Sequence, residues 1–333
     1  MKHANISLFV PHVGCLHRCS FCNQTAITGE EKLPHAADVE EAVAVARRSK
    51  GYNPATTEIA FFGGSFTAID PAYRTELLEA ASRFVKEGAV SGIRLSTRPD
   101  AIDDAVLTEL KQYGVTAIEL GAQSMDDTVL ACNGRGHTAA DVEKAAKKIK
   151  KAGFELGLQM MTGLYGSSHE SDIETAEKLI ELAPDTVRIY PTVILKGTVL
   201  GKLWEQGQYQ TDDVASAVDL CATLLAMFHA EGIRVIRLGL HTVKEEDYLS
   251  GPWHPAFREL CESELYYRAV RTGLFEKGKY ILTCHPKEVS KVTGQSKDNL
   301  RRLWQEGFDC TVKPDESLAE GECKIIQTEE TSQ

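Results

Sequence analysis

Short apolar runs alternate along this chain with longer stretches whose apolar residues recur three and four positions apart. The runs predict strands over 5–11, 58–62, 92–97, 117–121, 155–161, 186–190 and 234–238. The stretches between them predict helices. Val39, Ala42, Val43 and Ala46 form one apolar face, and Leu77, Leu78, Ala81 and Phe84 form a second. Asp70-Pro71 is a good start for the second helix. Val142, Ala145, Ala146 and Ile149 form a third face. Lys147, Lys148, Lys150 and Lys151 coat its last turns, where lysines suit the helix dipole, and Gly153 stops it. Strand–helix repetition predicts an α/β fold with a parallel sheet, closed or open, and helices outside it. In such folds chemistry collects at the carboxyl ends of the strands.

Beyond residue 250 the pattern changes. Gly251-Pro252 breaks the chain, and helices are predicted over 255–271, 287–291 and 298–306, with strands over 280–284, 309–313 and 324–327. The expected organisation is a barrel domain over 1–250, a helix plus a small α+β module over 251–327, and a disordered polar tail over 328–333. The order strand–helix–Gly294-Gln-Ser-Lys297–helix–strand resembles the minimal core of a KH domain, in which a loop between two helices clamps a nucleic-acid backbone. Gly294, Lys297, Arg301 and Arg302 are therefore candidate RNA contacts.

Charge divides along the same line. The 333 residues carry 37 basic and 48 acidic side chains, a net of −11, which argues against nucleic-acid binding across the whole surface. Residues 277–313 hold eight basic and four acidic side chains, a local net of +4. No apolar stretch reaches the roughly 18 to 20 residues of a membrane span. The start lacks a signal-peptide core, so a cytoplasmic protein is expected.

The nine cysteines are an odd number, against a disulfide framework. Three of them, Cys15, Cys19 and Cys22, form C-x3-C-x2-C after the first strand. Three thiolates in one loop suit three corners of an iron–sulfur cube, with one iron left open. The rival readings are a zinc site completed by His12 or His17, although zinc sites favour paired C-x2-4-C elements, and three unrelated thiols. Cys132, Cys221, Cys261, Cys284, Cys310 and Cys323 lack cluster spacing and read as structural. His254 and His285, each beside a proline, read as packing or turn residues.

With Phe21 before its last cysteine, this loop resembles the signature of radical S-adenosylmethionine enzymes. The resemblance implies a [4Fe–4S] cluster on Cys15, Cys19 and Cys22, S-adenosylmethionine on the open iron, and a 5′-deoxyadenosyl radical that abstracts hydrogen. It also implies an incomplete (β/α)6 TIM-like barrel and an electron donor such as flavodoxin or ferredoxin. Gly63, Gly64 and Ser65 resemble the family's Gly-Gly-Glu segment, with serine in place of the acid. Gln123, Arg135 and Gln159 fall where the coproporphyrinogen-oxidase-like branch places cofactor contacts. Ser96 and Gln159 stand where that branch often carries Glu and Asp.

Thr97-Arg-Pro-Asp100, Asn133-Gly-Arg-Gly-His137, Tyr190-Pro-Thr-Val-Ile-Leu-Lys-Gly-Thr198, Leu203-Trp-Glu-Gln-Gly-Gln-Tyr209 and Gly251-Pro-Trp-His-Pro-Ala-Phe257 resemble the radical half of the Elongator catalytic subunit, a family that modifies the wobble uridine of transfer RNA. That family's cysteine spacing is usually longer, and its arginine in the Tyr-Pro segment is Lys196 here. No acetyltransferase segment follows within these residues, so wobble carboxymethylation is not carried over. Asp100 and Lys196 are added as pocket candidates. The expectation is an enzyme that modifies transfer or ribosomal RNA. The alternatives are a coproporphyrinogen-oxidase-like enzyme on a small molecule and a non-catalytic iron–sulfur RNA-binding protein.

Overall fold

A computed structural model describes residues 3–11, 14–15, 19–23, 32–240 and 243–328. The chain divides into two compact units, Met1–Asp212 with Phe228–Pro252, and Asp213–Met227 with Trp253–Gln333.

The first unit is built on seven parallel strands in chain order: β1 (Ala4–Val10), β2 (Thr57–Gly63), β3 (Gly92–Thr97), β4 (Val115–Gln123), β5 (Glu155–Thr162), β6 (Thr186–Pro191) and β8 (Arg234–Leu238). Between the last two lies β7 (Ile194–Leu195), which pairs antiparallel with β9 (Tyr248–Ser250). The strands lie side by side in chain order, and the sheet curls into an open half-barrel. All seven predicted runs are strands of this sheet, one more than a six-stranded core.

Local chemistry fixes the helices. Asp70 caps helix Pro71–Lys86 by accepting the Ala72 and Tyr73 N–H groups, and Pro71 occupies the position that needs no donor. Thr138 and Asp141 form a capping box on helix Ala139–Lys151. At its far end the Lys150 ammonium donates to the Leu182 and Ala183 carbonyls, and Lys148 pairs with Asp104. The lysine run is thus a helix end tied to its neighbours.

The two faces of the sheet differ. Leu95, Ile118, Leu120, Leu156, Leu158 and Ile189 are buried on the helix side. On the other face the alternate positions are Arg94 and Ser96 on β3, Glu119 and Gln123 on β4, Gln159 on β5, and Arg188 and Tyr190 on β6. A closed barrel fills its interior with branched apolar side chains. This half-barrel lines its interior with polar and charged groups.

The second unit carries helix Phe257–Thr272, helices Val289–Thr293 and Asp298–Gln305, and a three-stranded sheet of β10 (Gly278–Cys284), β11 (Phe308–Pro314) and β12 (Cys323–Thr328). β10 is central, parallel to β11 and antiparallel to β12. Tyr266, Val270, Leu282, Cys284, Leu303 and Phe308 make its core. Thr328, expected in the tail, pairs with Lys279 at the end of β12, and the rest of the expected tail lies outside the described residues. Among the described residues no helix is long and apolar enough to cross a membrane.

Candidate active site at the cysteine loop

The cysteine loop leaves the carboxyl end of β1. Burial pushes the Cys15 thiol up from its ordinary value, and nearby Cys19 adds to this. The Ser65 backbone, Arg98 and Arg135 pull the other way. All three thiols are half-buried. His12 and His17, the rival zinc ligands, lie outside the described residues.

Downstream segments pin this loop. The Ser20 N–H donates to the Asn133 carbonyl at 3.0 Å, and its hydroxyl donates to Asn133 Oδ1 at 2.6 Å. The Leu200 N–H donates to the Ser20 carbonyl at 2.8 Å, and Asn23 Nδ2 donates to the Lys196 carbonyl at 3.0 Å. Arg135 bridges two elements: Nη1 donates to Cys19 Sγ at 3.0 Å and Nη2 to the Gly121 carbonyl at 2.6 Å. Phe21 packs on the Ile194, Leu200 and Tyr209 cluster. Two of the segments singled out in the sequence, around Arg135 and Lys196, thus meet the cysteine loop. The Lys196 side chain itself is exposed.

The glycine turn after β2 abuts the loop's root. Gly63 has φ +114°, and a Cβ there would stand 2.7 Å from the Val10 carbonyl oxygen, so only glycine fits. The Gly64 N–H donates to that same oxygen at 2.9 Å. Ser65 is fully buried and its hydroxyl is committed inward: it bonds Thr97 Oγ1 at 2.9 Å and accepts the Arg98 N–H at 3.2 Å. Asp100 takes a two-point bond from Arg98, at 2.8 and 2.6 Å.

At the end of β4 the ladder shifts register between Gly121 and Gln123, and Gln123 takes a left-handed φ of +68°. Strain of this kind in a non-glycine residue marks functional sites more often than ordinary loops. Three polar atoms near this bend are buried without a partner among the described residues: Gln123 Oε1, Arg135 Nε and His137 Nδ1. Burial and the Arg135 charge push the His137 imidazole down to about 4, so it is neutral at pH 7. Its Nε2 lies 3.2 Å from the Ala122 carbonyl, a contact that calls for the proton on Nε2 and leaves Nδ1 an acceptor. Leaving such groups unpaired costs about 1–3 kcal/mol each. One charged donor and two acceptors beside three thiols match the carboxylate and amino group of a bound amino acid. The donor set fits a cluster with S-adenosylmethionine at this rim. Among the described residues no three His, Cys, Asp or Glu side chains already close into a metal-holding group.

Deeper in the half-barrel, Glu119 is 1% exposed and joins three neighbouring strands. Arg188 donates to it twice, at 2.6 and 2.9 Å, and Gln159 Nε2 donates at 3.0 Å. Arg94 Nη1 lies 3.6 Å away and Arg94 also binds Glu58 and Glu155. Gln159 Nε2 reaches Ser96 Oγ at 3.4 Å as well. Burial works against the Arg188 charge, but Glu119 and Tyr190 outweigh it and keep the guanidinium firmly protonated. Sequence reasoning passed over Arg94, Glu119, His137 and Arg188. For Arg94, Glu119 and Arg188 the available signal was a charged residue at alternate positions of strands that in a parallel sheet are normally apolar throughout.

Gly294, Lys297, Arg301 and Arg302 belong to the second unit. Gly294 has φ +80°, and both Ser296 and Lys297 are left-handed, at φ +52° and +64°. Lys297 is exposed and, among the described residues, makes no ion pair. Arg301 pairs with Asp298, whereas Arg302 bonds Glu264 at 2.6 Å and lies 3.5 Å over the Tyr267 ring.

The sequence pattern of the Radical SAM superfamily matches residues 9–179, just over half of the chain, and that of the Radical_SAM C-terminal domain matches 184–267. Elongator complex protein 3 of Schizosaccharomyces pombe is 31% identical over 200 residues, 54% of this chain and 37% of that protein. A tRNA uridine(34) acetyltransferase of Dehalococcoides mccartyi is 25% identical over 255 residues, 67% of this chain and 56% of that protein. The chain thus spans from about a third to somewhat over half of these relatives. The solved structure of archaeal Methanocaldococcus infernus Elp3 with an N-terminal deletion shares the fold, with a TM-score of 0.66 at 19% identity, over 87% of this chain and 66% of that one.

Proposed function

The chain belongs to the radical SAM superfamily, whose enzymes use a [4Fe–4S] cluster and S-adenosylmethionine, and on that premise we propose that it modifies an RNA. When bound, the cluster supplies the electron that splits S-adenosylmethionine to the 5′-deoxyadenosyl radical. Cys15, Cys19 and Cys22 hold the cluster. Arg135 binds the carboxylate end of S-adenosylmethionine, a task suited to a guanidinium already fixed in its plane. Gln123 and His137 accept from its amino end, and the Gly63-Gly64 backbone permits close approach. Gln159 faces the cofactor from the half-barrel wall. Ser65 serves the site indirectly, by bracing Thr97 and the Arg98 backbone. The aromatic cluster around Phe21 keeps water from the loop.

The observation that carries the active-site reading is the meeting of Cys19, Arg135 and the partnerless atoms of Gln123 and His137 at one strand end. RNA as substrate is supported by the names of the relatives, which include a tRNA uridine(34) acetyltransferase, and by the exposed Lys297 on a strained loop between two helices. Lys196 and Lys297 supply phosphate contacts, and a small electron-transfer protein of the flavodoxin or ferredoxin type supplies the electron.

Two experiments test this reading. Cys15→Ala should remove the brown iron–sulfur absorbance of anaerobically reconstituted protein and its 5′-deoxyadenosine production. Full iron content in that variant would overturn the cluster assignment. Mass spectrometry of RNA nucleosides from cells with and without the gene should show one modified nucleoside missing. Identical nucleoside profiles, with no RNA stimulation of cofactor cleavage, would turn the reading toward a small-molecule substrate.

A further inference from the structure

Gln159 is an amide beside a buried carboxylate, and that neighbour decides which way the amide faces. A carboxylate only accepts hydrogen bonds, so the amide must turn its NH2 group toward Glu119. The 3.0 Å contact from Gln159 Nε2 to Glu119 Oε2 has this sense, and the 3.4 Å contact to Ser96 Oγ uses the same nitrogen. With Nε2 committed, the amide meets anything else through its carbonyl oxygen. Glu119 has one seat. Arg188 grips both of its oxygens, and its stem lies over Gly157, where a Cβ would stand 2.7 Å from Glu119 Cγ.

We infer that Glu119 is a positioning residue: it locks the Gln159 amide so that its carbonyl oxygen is presented to a hydroxyl or N–H donor of S-adenosylmethionine. This rests on the reading of Gln159 as a cofactor contact. It explains why position 159 is not acidic. A carboxylate there would face Glu119 across about 3 Å, and two carboxylates at that distance cannot both stay ionised. The acid of this wall stands one strand over, on β4, and acts through the amide. The inference makes a prediction opposite to simple resemblance, under which an acid at position 159 would improve binding.

The test is equilibrium dialysis of S-adenosylmethionine against anaerobically reconstituted, unreduced protein, so that no turnover enters the readout. Gln159→Ala and Glu119→Gln should each weaken binding about tenfold, the upper end for one lost neutral hydrogen bond, and Gln159→Glu, which must share a proton with Glu119, should not strengthen it. The exchanged pair, Glu119→Gln with Gln159→Glu, should return within about threefold of the parent. It restores one amide facing one acid, a recovery that a merely structural role for Glu119 would not produce. Thermal melts report which variants fold. Unchanged affinity in Gln159→Ala would refute the cofactor contact itself. Weakened binding in Gln159→Ala, with full affinity in a folded Glu119→Gln, would refute only the positioning role. If Glu119→Gln fails to fold, the exchanged pair decides, and a folded exchanged pair that binds no better than Gln159→Ala overturns the inference.

Discussion

Asp172 sits in the first turn of helix His169–Glu181 with 2% of its surface exposed. It accepts the Gly163 N–H at 2.8 Å, just past the carboxyl end of β5. Burial pushes its carboxyl up to about 7. The Gly163 N–H, Ser167 and His169 restrain the rise, and Asp212 adds to it. The folded protein therefore keeps a proton here that the unfolded chain releases near pH 4. Between about pH 4 and pH 7 the folded state binds more protons, so this group lowers stability as pH rises, and the loss levels off above about 7. Asp172→Asn should gain on the parent across that window, measured as the difference in denaturation midpoints from pH 4.5 to 7.5. His137, depressed to about 4, acts in the opposite sense, losing stability as pH falls from about 6.5. Its contribution is common to both proteins and cancels. A difference that stays constant with pH would mean that Asp172 is ionised in the fold.

The strands were legible because each is a short, self-announcing apolar run, and helices such as Pro71–Lys86 were legible because their caps are local. What escaped was whatever depends on distant partners. Pair β7 and β9 joins residues more than fifty apart, and helices Asp127–Cys132 and Val199–Glu205 are too short to display a period. In the site, the cysteines and Arg135 announced themselves by spacing and motif. Glu119 and Arg188 looked like ordinary charges, because their meaning lies in a cross-strand register that no local pattern carries. The turn at the end of β2 offers a test at this scale. Gly63→Ala combines a left-handed backbone with a backbone clash, and should cost about 1–3 kcal/mol in chemical denaturation. Gly51→Ala, where a Cβ meets nothing within 4 Å, should be close to neutral. Equal effects at the two positions would argue against strain at Gly63.

Across the whole molecule, net charge conceals a division of labour within the basic C-terminal segment. Of its eight basic residues, Lys287, Lys291, Arg301 and Arg302 are engaged by acids of the same unit. Arg302, stacked on Tyr267 and bound to Glu264, is a packing residue as much as a charge. Lys297→Ala should leave the melting temperature unchanged, weaken RNA binding, and lower the slope of log affinity against log salt by about one. Arg302→Ala should instead lower the melting temperature. RNA affinity unmoved by Lys297→Ala at any salt concentration would remove this loop from the binding face.

The anchoring of the cysteine loop also bears on how the protein is made. Ser20 is held by Asn133 and Leu200, and Asn23 by Lys196, separations of 113 and 173 residues for the two side-chain bonds. Contacts so distant in sequence form late, because the chain between their ends must first be ordered. As the chain leaves the ribosome, the cysteine loop emerges before its anchors and lacks them until residues more than 100 positions further along have been synthesised. Cluster insertion is therefore expected to follow assembly of the half-barrel, and until then the thiols stand open to oxidation and to competing metals.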